Sequence, residues 1–178
     1  MSVVARTLYT IGFAGKTAEQ FFTLLKNAGV QKLIDVRENR IGQLSGFAKY
    51  PDLAFFLDRV AGITYSYEPR LAPSPEIRAA YRSTGDWAAY EASFRQLMLD
   101  RSIPQSLAPA DFDGTIAFLC SEPEAHKCHR RIVAEMLSKF LAINGYNIPV
   151  VNLTIQINKR KKRKAASSSH APHHGIAD

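Results

Sequence analysis

Apolar positions along this chain switch repeatedly between two spacings. Short runs rich in β-branched and aromatic residues, TLYTIG at 7–12, KLIDVR at 32–37, ITYSYE at 63–68, TIAFLC at 115–120 and IPVVNLTI at 148–155, are bounded by turn residues and predict strands. Helical spacing fills the intervals. Thr17 and Gln20 form a capping-box pair, Phe21, Leu24, Leu25 and Ala28 share one face, and Gly29 supplies the stop. Pro51 fits a first helical position, Leu53, Phe56, Leu57 and Val60 follow at the same spacing, and Gly62 ends the run. Two further helices are predicted, one by Trp87, Tyr90, Phe94, Leu97 and Met98, the other by Ile132, Val133, Met136, Leu137 and Phe140 before Gly145. Strands alternating with helices imply right-handed crossovers, hence an α/β three-layer sandwich around a mostly parallel, about five-stranded sheet. Residues 69–86, with three prolines, break the rhythm and are expected to form a loop or lid with a short helix.

Composition changes this picture in one place. The 178 residues and 46% apolar content suit one domain with an ordinary core, and the ten Phe and seven Tyr argue against a disordered chain. The net charge of +7 is concentrated at one end. Six of the 23 basic residues are Lys159 to Lys164, so residues 1–158 carry 17 basic against 15 acidic residues. Residues 1–158 are therefore expected to be the domain and 159–178 a basic, disordered tail, either solubilising or attracted to phosphates. His170, His173 and His174 in that tail are spaced too irregularly for a defined metal site. No run approaches a membrane span and the first residues do not read as a signal peptide, so the chain is expected in the cytoplasm. A disulfide between Cys120 and Cys128 would close a small ring and stabilise little, so both are expected to be thiols.

In open parallel sheets ligands bind beyond the carboxyl ends of the strands, which makes the residues at those ends the candidates. They are Gly12 after the first run, Asp35 and Arg37 after the second, Glu68 after the third, and Cys120 with Glu122 after the fourth. Cys128, His129 and Arg130 then open the last helix.

Several blocks, LYTIGFAGKTAEQFFTLLKNAGV, LIDVRENR, SGFAKYPDLAFFL, GITYSYEPRLA and FLCSEPEAHKCHRRIVAEML, resemble in order those of the DUF488 family of bacterial and archaeal proteins. The resemblance spans roughly residues 7–152, and its most specific part is the CxE block followed by CHR. It implies a compact α/β fold more firmly than a reaction, and it marks Asp35, Arg37, Cys120, Glu122, Cys128, His129 and Arg130 as characteristic positions. Two blocks depart from the family pattern. Gly12-Phe13-Ala14 stands where the family usually has a His-Ser pair after the glycine, and Leu71-Ala72-Pro73 stands where a Leu-Gly-Gly block is common.

Three chemistries compete for the 118–133 segment. A metal site is disfavoured, because its ligands are all local and the adjacent Cys128 and His129 would diverge on a helix; no metal is assigned, and no pattern names a cofactor. A reactive thiol is the second: Cys120 ends a strand and faces a helix start that favours thiolate, with His129 and Arg130 nearby. It is equally a small buried apolar residue. The third is acid–base work by Asp35, Glu68 and Glu122 beside Arg37, Arg70, Arg130 and Arg131 as phosphate grips, with Tyr65, Tyr67, Tyr81 and Trp87 available to stack on a base. The same charges also suit a buried ion-pair network. The reading adopted is a polar pocket at the strand ends, with Asp35, Cys120 and Glu122 as catalytic candidates and Gly12, Arg37, Glu68, Cys128, His129 and Arg130 as ligand contacts. It would act on or bind a nucleotide or nucleic acid; the alternatives are a noncatalytic nucleotide- or nucleic-acid-binding module and a redox-responsive thiol protein.

Overall fold

The computed structural model describes residues 7–42, 45–107 and 114–155. The basic segment Lys159 to Lys164 lies outside the described residues. Five strands, β1 (Thr7–Gly12), β2 (Lys32–Asp35), β3 (Thr64–Tyr67), β4 (Thr115–Cys120) and β5 (Val150–Leu153), form one sheet in the order β3-β2-β4-β1-β5, with every pairing parallel. The helices are α1 (Ala18–Asn27), α2 (Asp52–Phe56), α3 (Pro75–Thr84), α4 (Trp87–Asp100) and α5 (His129–Ile143).

The period of two along β4 shows how the layers form. Ile116 and Phe118 pack with Phe94 and Met98 of α4 and Ile132 and Leu137 of α5, whereas Ala117 and Leu119 pack with Phe21 and Leu25 of α1 and Leu53 of α2. The sheet is thus covered on both faces, and its central strand carries apolar residues on each. The chain runs outward from β1 to β2 and β3, then returns to place β4 between β2 and β1. Crossovers of one hand put α1 and α2 on one face and α4 and α5 on the other. The turns leaving β1 and β4 therefore part to opposite faces, which opens a crevice at the end of β4.

Local signals set the boundaries. The Thr17 hydroxyl accepts from the Gln20 N–H at 3.2 Å while the Gln20 side chain accepts from the Thr17 N–H at 2.9 Å, closing the expected capping box. Gly62, with φ +65°, stops the helical segment that continues α2 through a π turn over Leu57–Ala61. The segment expected as a loop with a short helix is more regular than that: a 3-10 turn over Pro69–Leu71 leads into the ten-residue α3, where the Ser74 hydroxyl accepts from the Ile77 N–H and Pro75 occupies the first turn. No residue of α3 itself is buried, and Ile77 and Tyr81 alone of its side chains pack against the core, too few to announce it. No helix among the described residues is long and apolar enough to cross a membrane.

Candidate functional site

The carboxyl ends of the strands bring Gly12, Asp35 and Cys120 to one edge of the sheet: Gly12 lies opposite Cys120, Asp35 opposite Leu119 and Tyr67, and Glu68 directly follows β3. Beyond Cys120 the chain folds over this edge and enters α5 at Cys128. Arg130, 1% exposed, reaches back under that loop. Its Nη1 donates to the Glu122 carbonyl at 2.6 Å and to Cys128 Sγ at 3.3 Å, its Nη2 to the Pro123 carbonyl at 3.3 Å, and its Nε to the Thr10 hydroxyl at 3.4 Å. The loop can lie this low because residue 12 is glycine. A Cβ there would overlap the Glu122 carbonyl oxygen and crowd Arg130.

Under the loop sit two thiols and an imidazole, all buried. His129 Nε2 lies 3.0 Å from the Val36 carbonyl; a carbonyl only accepts, so Nε2 carries the hydrogen and Nδ1 is turned to Cys120 Sγ at 3.7 Å. The Cys128 thiol donating to Cys120, together with the charge and hydrogen bond of His129, holds the Cys120 thiol well below its ordinary value despite burial. Cys128 moves the other way, pushed up by giving its hydrogen to Cys120 and by burial. Burial would lower His129, but the charge of Cys120 and the bonds to Cys120 and Val36 raise it. Both directions favour the charged forms, thiolate at Cys120 and imidazolium at His129.

This group forms one wall of a cavity of about 540 Å³. Opposite it stand Arg78, Tyr81 and Arg82 of α3, with Trp87 and Tyr90 of α4. Trp87 and Tyr90 stack with ring centroids 4.8 Å apart, and Tyr81 meets Trp87 edge-on. Ser121, Glu122 and Lys127 from the loop line the same space, Glu122 and Lys127 being exposed. Arg78 pairs with Glu38, which also faces the cavity.

The cavity gathers Arg37, Cys120, Glu122, Cys128 and His129 among the residues singled out in the sequence, and it leaves others aside. Asp35 is wholly buried. Its Oδ1 accepts from Arg37 Nε at 2.8 Å and from the Arg37 N–H at 3.1 Å, and its Oδ2 accepts from Arg37 Nη2 at 2.6 Å and the Tyr65 hydroxyl at 2.8 Å. Arg37 gives its remaining Nη1 to the Ala48 carbonyl at 2.9 Å. Glu68 pairs with Arg70 and lines a separate cavity of about 240 Å³ behind β2 and β3. Arg131 joins Arg95, Glu91 and Glu135 in an ion-pair square between α4 and α5. The four arginines expected as grips are thus engaged within the protein. Arg78, Arg82 and Lys127 are the cations the sequence reading did not single out; Arg78, Tyr81 and Arg82 recur at i, i+3, i+4 on α3, a spacing that becomes visible once Ser74-Pro75 is read as a helix start. The expected divergence of Cys128 and His129 does not occur. Cys128 is the N-cap, with extended φ −143° and ψ 137°, so only His129 is helical and the two side chains converge.

The fold and this site define an α/β protein with a buried thiol–imidazole pair at the switch point of a parallel sheet. The chain belongs to the DUF488 family: the family model described as "Domain of unknown function DUF488" matches residues 17–137, from the start of α1 to Leu137 of α5. No curated protein and no solved structure matches it. Phe13, at one departure from the family pattern, is buried with the Arg37 guanidinium 5.3 Å from its ring centre.

Proposed function

We propose that the chain is a thiol enzyme acting on an anionic, ring-bearing substrate of the nucleotide class, with Cys120 as nucleophile and His129 as its proton partner. The observation that carries this reading is the 3.7 Å Cys120–His129 pair in the wall of a cavity whose other side is cationic and aromatic. A thiolate needs a lowered pKa and a route to substrate, and the pair provides the first and the cavity the second. Arg82 and Lys127 would hold phosphate, and Trp87 and Tyr81 would face a base. In the step this supports, Cys120 Sγ bonds to an electrophilic carbon, the leaving group departs with the electron pair of the broken bond, and the Nδ1 proton of His129 neutralises it. With an acyl carbon as the electrophile, Glu122, exposed at the rim, would then take a proton from the water that adds to the acyl-enzyme, whose C–S bond breaks to return the Cys120 thiolate. Asp35 and Arg130 support the site from behind rather than touching substrate.

Mass-spectrometric mapping of iodoacetamide labelling on the reduced, metal-free chain tests the reading. Cys120 should label well ahead of Cys128, His129→Ala should slow it by about ten- to a hundredfold, and nucleotides should protect it. Equal, slow labelling of both thiols would refute the nucleophile assignment; fast labelling of Cys120 that no nucleotide slows would refute the substrate class.

A further inference from the structure

We infer that Cys120, Cys128 and His129 also form a three-ligand site for zinc or a similar borderline-soft divalent ion, whose fourth position opens into the cavity. Cys120 Sγ, Cys128 Sγ and a ring nitrogen of His129 all lie within 4.8 Å of one another. A sulfur and a nitrogen sharing tetrahedral zinc, at about 2.3 and 2.0 Å from the ion, stand about 3.5 Å apart. The 3.7 Å between Cys120 Sγ and His129 Nδ1 is already close to that separation. The ligand set, two thiolates and an imidazole, suits zinc in preference to magnesium or calcium, which take oxygen.

The surroundings of the three ligands carry the argument further than their spacing. Metal-binding histidines hand their other N–H to a carbonyl or carboxylate, which fixes the tautomer; His129 gives Nε2–H to the Val36 carbonyl and keeps Nδ1 for the ion. Arg130 donates to Cys128 Sγ, so the second thiolate has a cationic hydrogen-bond donor in place. The extended N-cap conformation of Cys128 makes two neighbouring residues converge where a helix would spread them. Bound by both cysteines as thiolates and by neutral His129 through Nδ1, a divalent ion would have its two charges balanced by the two sulfurs. Three ligands come from this chain, as in catalytic rather than closed structural sites, and the open fourth position would take water or a substrate atom.

This inference does not rest on the thiol-enzyme reading, and on any one molecule the two states exclude each other, since a zinc-bound Cys120 is no longer a free nucleophile. Titration of the reduced full-length chain with cobalt should give one ion per chain with sulfur-to-cobalt charge-transfer absorption, displaced by zinc. Cys120→Ser and Cys128→Ser should each abolish that absorption and weaken zinc at least about a hundredfold. Replacing His170, His173 and His174 together by Ala should leave both unchanged. In the wild type, which needs no variant to fold, stoichiometric zinc should protect both thiols from alkylation and a chelator should restore labelling. The site is refuted if wild type shows neither the absorption nor the protection, if Cys128→Ser weakens zinc less than tenfold, or if the tail substitutions remove the binding. Rapid Cys120 labelling without zinc binding would sink only the metal site; zinc binding by a chain whose metal-free Cys120 is inert would sink only the thiol enzyme.

Discussion

Two buried polar clusters stand side by side at the carboxyl edge of the sheet, Asp35–Arg37 at the end of β2 and Cys120–His129 at the end of β4. Both would read as catalytic from residue type alone. They differ in saturation. Asp35 accepts four hydrogen bonds, two at each oxygen, so its carboxylate has no lone pair left to offer and no exposed surface from which to offer it. The pair braces the 35–37 turn and ties it to Ala48 and Tyr65; the tyrosine hydroxyl, half-buried against that carboxylate, is pushed up to about 12, chiefly by burial, and stays protonated. Cys120 and His129 are also buried, yet they line the cavity, and the one close partner of each toward it is the other, Sγ to Nδ1 at 3.7 Å. A cluster whose bonding capacity is spent internally supports a site. One that keeps capacity toward a cavity can do chemistry there.

The sharpest way to break this contrast is Asp35→Asn. Removing one charge of the bidentate pair strands the buried Arg37 guanidinium, and thermal or urea unfolding should register a loss of about 3–5 kcal/mol. A loss below about 1 kcal/mol would mean Asp35 is not a brace. Gly12→Ala comes next, at about 1–3 kcal/mol, because the new methyl must push the Glu122 carbonyl off its place on Arg130. It should also slow Cys120 labelling or expose Cys128, and an unaltered pattern of labelling would show that the loop does not depend on that glycine.

A smaller effect belongs to the ion-pair square. Although burial pushes it up, Glu91 is held below its ordinary carboxyl value of 4.5 by hydrogen bonds from Arg95 and Arg131. A depressed folded value means that its stabilisation is present above the unfolded value and is lost as pH falls through the folded one. Glu91→Gln should therefore cost about 1 kcal/mol or less at neutral pH, and variant and wild type should converge in stability as pH falls from the ordinary carboxyl value through the lower folded one. Persistence of the full difference in acid would contradict the pairing.

Smallest of all in stability are the residues closest to the proposed chemistry. Cys120→Ser should change unfolding by about 1 kcal/mol while eliminating fast labelling, and Glu122→Gln, at an exposed position, should stay within about 0.5 kcal/mol. A large loss with Glu122→Gln would make that side chain part of the scaffold and remove it from the reading.

β1, β2 and β4 were legible because both faces of the sheet are covered there: their cores are short apolar runs, and β1 and β4 match the expected limits at both ends. β2 and β3 end earlier than expected, since Val36, Arg37 and Glu68 already belong to the turns that build the site. Helix α3 was largely illegible because only Ile77 and Tyr81 on it pack against the core. At the site, residue types near Cys120 pointed to the segment that lines the cavity but not to the residues that meet it there. Which carboxylate is saturated, which arginine reaches under a loop and whether two adjacent ligands converge are matters of three-dimensional closure. Sequence spacing treats Asp35 and Glu122 alike, and only burial separates them. The convergence of Cys128 and His129 turns on one backbone conformation at an N-cap that no residue in the motif dictates.

The strand order also governs how this molecule must assemble. Since β4 lies between β2 and β1, those earlier strands do not pair with each other, and the sheet stays split into an isolated β1 and a β2-β3 pair until residues 115–120 insert between them. Such insertion links β4 to segments 108 and 84 positions earlier, Thr115 to Thr7 and Ile116 to Lys32, and demands closure entropy before any reward, which favours slow folding with unpaired strand edges exposed meanwhile. A nascent chain emerging from the ribosome holds those open edges for the whole time that α3, α4 and the stretch after them are being made. The thiol that ends β4 arrives with the strand that closes the sheet, so its environment, and with it its reactivity, comes into being in the same event that completes the fold.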